Sequence, residues 1–253
     1  MTVEAPRRPR PRYKQPDPKY MTLVEHLTEL RRRLIKIVMA VAVGSVGGWF
    51  LAPTVIELID KPVCTSLGPN HCKLVVDTVY GAFTLNLKIA IILGFIFALP
   101  VTVYQLWRFV APAFGPTANY WGPVWMLSAL GLFGAGASTG YFVIPLALNF
   151  FSKFGGEHIE ILVFASKYVS FIILILLVFG LSFELPLVLV SLTAAGVTSS
   201  AWLATKRLQA FFAIFIFATM FMPGADWVSP LILGGILYVL FELSILVSRL
   251  LGK

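Results

Sequence analysis

Between Tyr168 and Leu192 the chain carries one charged side chain, Glu184, in an otherwise apolar run. Five more such runs occur, at about 34–56, 83–106, 121–148, 208–222 and 230–247. A helix needs about 20 apolar residues to cross roughly 30 Å of hydrocarbon. The 253 residues are 58% hydrophobic and 13% charged, with a mean hydropathy of +0.86. A soluble domain of this size cannot bury that much apolar surface. The expected fold class is an all-α membrane protein with six transmembrane helices.

The net charge of +8 would suit a nucleic-acid partner, but its distribution does not. Ten of the twenty basic residues fall between Arg7 and Lys36, beside the first span. Arg108, Lys206, Arg207, Arg249 and Lys253 lie on the same side of the membrane. Only Lys61, Lys73, Lys153 and Lys167 lie on the other, and Lys88 falls inside the second span. This asymmetry places both termini in the cytoplasm and points to lipid headgroups, with no nucleic acid. Residues 1–21 hold five prolines and six basic residues with no apolar stretch. They read as a disordered basic cytoplasmic tail and not as a cleaved signal peptide, leaving 22–250 as the membrane domain.

The fifth run has fifteen residues between Arg207 and Pro223, roughly 22 Å of helix. The sixth is also brief. Either the bilayer thins locally around short fifth and sixth spans, or their boundaries lie a few residues away. Pro100, Pro145 and Pro186 each remove an N–H inside a span, so kinks are expected there. Cys64 and Cys72 share the first outer loop, which faces an oxidising compartment in this topology. They read as a disulfide candidate, with free thiols as the alternative.

Enzyme motifs are absent: there is no GxxxxGK[ST] loop and no HExxH. His26, His71 and His158 are scattered at or beyond span ends, so no metal site and no cofactor are expected. Chemistry is left to charges near the membrane. Lys88 reads as snorkelling to the outer headgroups. Glu242 reads equally as a structural hydrogen bond to a neighbouring helix or as a functional group. Glu184 lies sixteen residues into its run, roughly 24 Å along the axis. A charge at that depth costs from roughly 2.5 kcal/mol upward, so it must face protein or water. Pro186 frees the Ser182 carbonyl beside it, which would make a polar pocket; a neutral glutamate locking helix packing is the alternative.

In LVEHLTELRRRL (23–34), His26, Glu29 and Arg33 share one helical face and Leu27, Leu30 and Leu34 another. The plain reading is a membrane-surface helix with solvated ion pairs. The sharper one presents Glu29 to a cationic partner.

Several stretches together match a known family. EHLTELRRRL resembles the H-L-x-E-L-R-x-R-L motif that precedes the first span of TatC proteins. YQLWRFVAPAF (104–114) resembles the family's first cytoplasmic loop, and VFGLSFELP (178–186) its fourth-span F-G-x-x-F-E-x-P. PGAD (223–226) resembles its last outer loop. The matches run in order over roughly residues 22–250, and the cysteine-bearing loop looks most like actinobacterial members.

The resemblance implies a concave scaffold in the bacterial cytoplasmic membrane that is not an enzyme. It implies a receptor for twin-arginine signal peptides of folded cargo. Its partners would be TatA and TatB helices, in a hetero-oligomer of several copies that uses the proton-motive force. Glu29, Phe109, Arg31 and Gln105 match signal-peptide positions. Glu184, Asp226, Pro62 and Tyr141 match partner-helix or structural polar positions. A carboxylate is the natural bidentate partner of a guanidinium, which suits Glu29 to the first role.

Two departures stand out. The family's usual second glutamate in the first cytoplasmic loop is here Ala118, within the uncharged stretch GPTANYWGP. That implies weaker twin-arginine binding, carried mainly by Glu29. Met222 stands where a threonine is common. Two other functions compete. A proton-coupled small-solute permease would use Glu184 as its carrier site. A pure assembly scaffold would use Glu184 and Glu242 to hold helices together.

Overall fold

The computed structural model describes residues 23–67, 74–112, 114, 118–153, 162–221 and 228–252. The chain forms α1 (Leu23–Leu67), α2 (Gly81–Val110), α3 (Ala118–Ser152), α4 (Ala165–Phe183) and α5 (Leu185–Ala194). These are followed by α6 (Ser200–Thr205), α7 (Arg207–Phe221) and α8 (Val228–Leu250). The described residues are helical apart from short connections. One isolated bridge pairs Val75 with Phe164, and it ties the segment before α2 to the segment before α4. Its hydrogen bonds are Val75 N to Val163 O and Ala165 N to Val75 O, both 2.9 Å.

Five stretches are long and apolar enough to cross a membrane, and α7 is a shorter apolar helix. Large apolar side chains face outward along them: Phe50, Leu127 and Met220 are 74–78% exposed. Only hydrocarbon makes such a surface stable, because it exacts no penalty for apolar exposure. The chain is a multi-pass helical membrane protein.

The elements differ from the sequence expectations in their ends. The 23–34 stretch is not a separate surface helix; it is the first three turns of a continuous 45-residue α1. The sixth span is not brief, since α8 has 23 residues, about 34 Å. The fifth is short as expected, at 15 residues. The fourth run divides into α4 and α5 at Glu184. Pro186 near the start of α5 has no N–H for the Ser182 carbonyl, so the ladder breaks there. At Pro100 and Pro145 the helices continue without a break.

The core lies around α4 and α8. Ile172, Ile175 and Phe179 of α4, Ile144 of α3, and Leu233 and Ile245 of α8 are buried. By contrast α1 leans almost wholly on α2, where small residues let the backbones approach. A Cβ placed at Gly44 would sit 2.8 Å from Gly94 O, and one at Gly48 would sit 2.6 Å from Ala90 O. Such close approach gains dispersion contacts along the pair, which drive helix association where the hydrophobic effect is absent.

This contact fixes an antiparallel register. Four residues back along α1 from Gly48, and four on along α2 from Ala90, lie Gly44 and Gly94. Eleven further in each direction lie Arg33 and Gln105. The small-residue seam therefore places the first turns of α1 against the last turns of α2.

Candidate functional site

At that corner the α1 and α2 side chains meet. Glu29 Oε1 accepts two donors from Arg33, Nε at 3.1 Å and Nη2. The pair is i,i+4 and part-buried, with side chains 23% and 14% exposed. Arg33 Nη1 reaches Gln105 Oε1 at 3.5 Å, and Gln105 is itself buried. One turn back on α1, His26 stacks on Phe109 of α2, with ring centroids 4.5 Å apart. Nearby, Arg108 bonds the Tyr104 hydroxyl at 3.1 Å.

Of the four residues expected to meet a signal peptide, the fold brings Glu29, Gln105 and Phe109 to one corner. Arg31 is exposed and lies about 200° round α1 from Glu29, so it faces elsewhere. Gln105 is buried and faces Arg33. The Glu29–Arg33 spacing was readable in the sequence. The Arg33–Gln105 and His26–Phe109 contacts were not, because they depend on the α1–α2 register.

A second set of polar contacts joins helices near the far end of α1. Pro62 has no N–H, so the Leu58 carbonyl loses its helical partner. The Tyr141 hydroxyl of α3 donates to Leu58 O at 3.5 Å, and that of Tyr168 on α4 donates to Ile59 O at 3.1 Å. Pro62 and Tyr141, matched separately to the family, thus act on the same carbonyl. Tyr168 was not singled out from the sequence, because nothing local marks its partner 109 residues away.

Glu184 sits at the α4–α5 junction, half-buried. Its carboxyl caps no helix and makes no hydrogen bond or ion pair among the described residues. Two residues before it, Ser182 Oγ is buried without a partner among the described residues. Beyond it α5 flanks a cavity of about 520 Å³, walled by Trp107, Trp121, Trp125, Pro186, Val190 and Leu243, among others. Its walls are mainly apolar and do not include Glu184, so the expected polar pocket does not take that form. Trp125 Nε1 donates to Ser191 Oγ at 2.9 Å across one side.

Two charges proved to be tethers. The Lys88 Nζ, expected to reach the outer headgroups, bonds Ser170 Oγ at 2.8 Å and Ser166 Oγ at 3.2 Å, joining α2 to α4. Glu242 takes the structural reading. Arg207 binds both of its oxygens, at 2.7 and 2.8 Å, and Tyr238 donates to one of them at 3.3 Å. This clamps α7 to α8. Asp226, Met222, Cys72 and the 1–21 tail lie outside the described residues, as do the side chains of Cys64, Pro62 and Ala118. Among the described residues no group of three or more His, Cys, Asp or Glu is placed to hold a metal.

The fold and corner together define a polytopic helical membrane protein with a carboxylate held where the first turns of α1 meet the last turns of α2. The TatC family model, described as Sec-independent protein translocase protein, matches residues 25–235. A TatC of Carboxydothermus hydrogenoformans is 36% identical over 232 residues, covering 91% of this chain and 94% of that one. One of Frankia casuarinae is 32% identical over 240 residues, and this chain spans only 66% of that longer relative. A crystal structure described as the twin arginine translocase receptor TatC superposes with a TM-score of 0.77. It is 31% identical, and the match covers 90% of this chain and 100% of that one. The chain belongs to the TatC family of protein translocase components.

Proposed function

We propose that this chain is the twin-arginine signal-peptide receptor and core scaffold of a Tat translocase. It would export folded proteins across a bacterial cytoplasmic membrane, with TatA and TatB, driven by the proton-motive force. The observation that carries this reading is Glu29. Its carboxylate stands part-exposed at the α1–α2 corner and already receives a guanidinium through Nε and Nη2. A site that holds one guanidinium in this way suits the arginines of a twin-arginine motif. Phe109, stacked on His26, supplies an aromatic wall for the motif's apolar position or for an arginine plane. In this reading both termini and the Glu29 corner face the cytoplasm, where signal peptides are made. Family membership weighs against the permease reading.

The test is to photocrosslink a twin-arginine signal peptide and its twin-lysine variant to probes at Glu29 and Phe109. Strong labelling by the first and weak labelling by the second is expected. Equal labelling of both removes the receptor reading.

Partner helices would use a different surface. In α7 only Ile214 and Ala218 are buried, so most of its face is open to a second transmembrane helix from TatA or TatB. Glu184, whose carboxyl has no partner among the described residues, would take a polar residue of such a helix. Replacing Glu184 with alanine should lower partner-helix crosslinking and transport several-fold, with twin-arginine peptide binding changed less than twofold (~0.4 kcal/mol). Loss of peptide binding alone would show that Glu184 serves the signal site.

A further inference from the structure

We propose that Arg33 is a built-in competitor for the signal-peptide site, an internal guanidinium that occupies Glu29 until an incoming arginine displaces it. This inference rests on the receptor reading above and concerns the affinity threshold a peptide must pass to occupy the site.

Arg33 is part of the same helix as Glu29, one turn on, so its side chain is always within reach. Both its Nε and Nη2 point at a single oxygen, Oε1. That is how a ligand arginine would engage the carboxylate, so a peptide guanidinium and Arg33 cannot both take that oxygen. Like charges at contact distance also repel, and a second guanidinium entering beside Arg33 meets that cost.

A place for the displaced side chain exists. Gln105 Oε1 lies 3.5 Å from Arg33 Nη1, long for a hydrogen bond but aimed at the right group. Gln105 is buried on α2, and among the described residues its amide oxygen has Arg33 as its donor. A small rotation of Arg33 away from Glu29 would shorten that bond. The guanidinium would then pass from carboxylate to amide without being left unpaired, which is what makes displacement affordable. Neutral Gln105 is the weaker acceptor of the two, so Arg33 rests on Glu29 when no peptide is present.

Competition of this kind screens ligands. A single stray lysine offers one compact ammonium and gains less from the carboxylate than Arg33 does. A paired, well-placed guanidinium can match Arg33 and add contacts elsewhere. Displacing Arg33 imposes the same cost on every peptide, so it sets a threshold and leaves the ratio between peptides unchanged.

The experiment measures binding of synthetic twin-arginine and twin-lysine signal peptides, by concentration-dependent photocrosslinking, in native membranes holding the full-length chain. Wild type, Arg33→Gln, Arg33→Lys and Gln105→Leu are compared. If wild type fails to prefer the twin-arginine peptide, the receptor reading itself falls, and this inference with it. If the preference holds, Arg33→Gln is expected to tighten both peptides by a similar factor, about two- to fivefold, the range of a part-exposed ion pair. Arg33→Lys, keeping the charge without the fork, should tighten binding less. Gln105→Leu should weaken binding, because the released guanidinium loses its acceptor. General damage to the corner cannot produce a uniform gain in affinity. Unchanged or weaker binding in Arg33→Gln, with wild-type preference intact, overturns the proposal and makes Arg33 a support for Glu29.

Discussion

Under the proposed receptor function, Glu29→Gln is expected to lower the apparent affinity for a twin-arginine peptide by about 10- to 100-fold, corresponding to ~1.5–3 kcal/mol for a hydrogen bond to a charged group. The two side chains have the same shape, so packing is retained. The amide still offers one oxygen, but a neutral acceptor holds a guanidinium about half as strongly as a carboxylate. The preference for arginine over lysine should shrink along with affinity, since the lost charge weakens two donor contacts of an arginine and one of a lysine. The absence of an acid at Ala118 makes the effect large, because no second carboxylate in that loop shares the load. The fold should survive: Glu29 lies fifteen residues before Gly44, at the open end of the α1–α2 seam. Thermal stability in detergent within a few degrees of wild type, with peptide binding lost, is the expected pair of results. Binding within twofold of wild type would remove Glu29 from the site.

Much of the site was legible because its parts are local. Glu29 and Arg33 are one turn apart, and any helix over 23–34 pairs them. Glu184 was marked by its depth in an apolar run, and Pro186 by the hydrogen bond it cannot make; the helix does break between Phe183 and Leu185. What escaped was set by contacts between distant segments. Lys88 was read as reaching for headgroups because hydropathy sees only its own span. The serines that hold it, Ser166 and Ser170, are 78 and 82 residues away on α4. Tyr168 looked like the start of an apolar run, yet its hydroxyl holds the Ile59 carbonyl of α1. Helix ends were misplaced for a different reason. Apolar runs mark the part of a helix that hydrocarbon covers, whereas hydrogen bonding carries the helix on into water or headgroups. So α1 begins before the first run, and α8 continues through Ser248 and Arg249. Arg31 is placed differently from its motif neighbour. It belongs to the same motif as Glu29, but helical geometry turns it away from the corner.

Gly94→Leu should prevent α1 and α2 from packing and abolish peptide binding with it. Even a Cβ at Gly94 would lie 2.6 Å from Val41 O and 2.6 Å from Ser45 N, both backbone atoms that cannot rotate aside. The helices would have to separate, and a leucine forces a larger gap than an alanine. Little else holds α1, since only 6% of its most apolar window is buried. The Tyr141 and Tyr168 hydrogen bonds anchor one end, at Leu58 and Ile59, and the seam at Gly44 and Gly48 holds the middle. Splaying the seam leaves the far end, with Glu29 and His26, swinging free of Gln105 and Phe109. A distance change there removes both walls of the site at once, although Gly94 lies eleven residues, about 16 Å along α2, from Gln105. Gly47 supplies the control. It lies on α1 between Gly44 and Gly48, which face α2, but nothing lies within 4 Å of a Cβ built on it. Gly47→Leu should therefore leave protease resistance and twin-arginine crosslinking near wild type, while Gly94→Leu loses both. Equal damage from the two would mean that a bulky residue at either helix disturbs the pair without acting through close packing at Gly94. Full binding by Gly94→Leu would mean that the corner assembles without the seam.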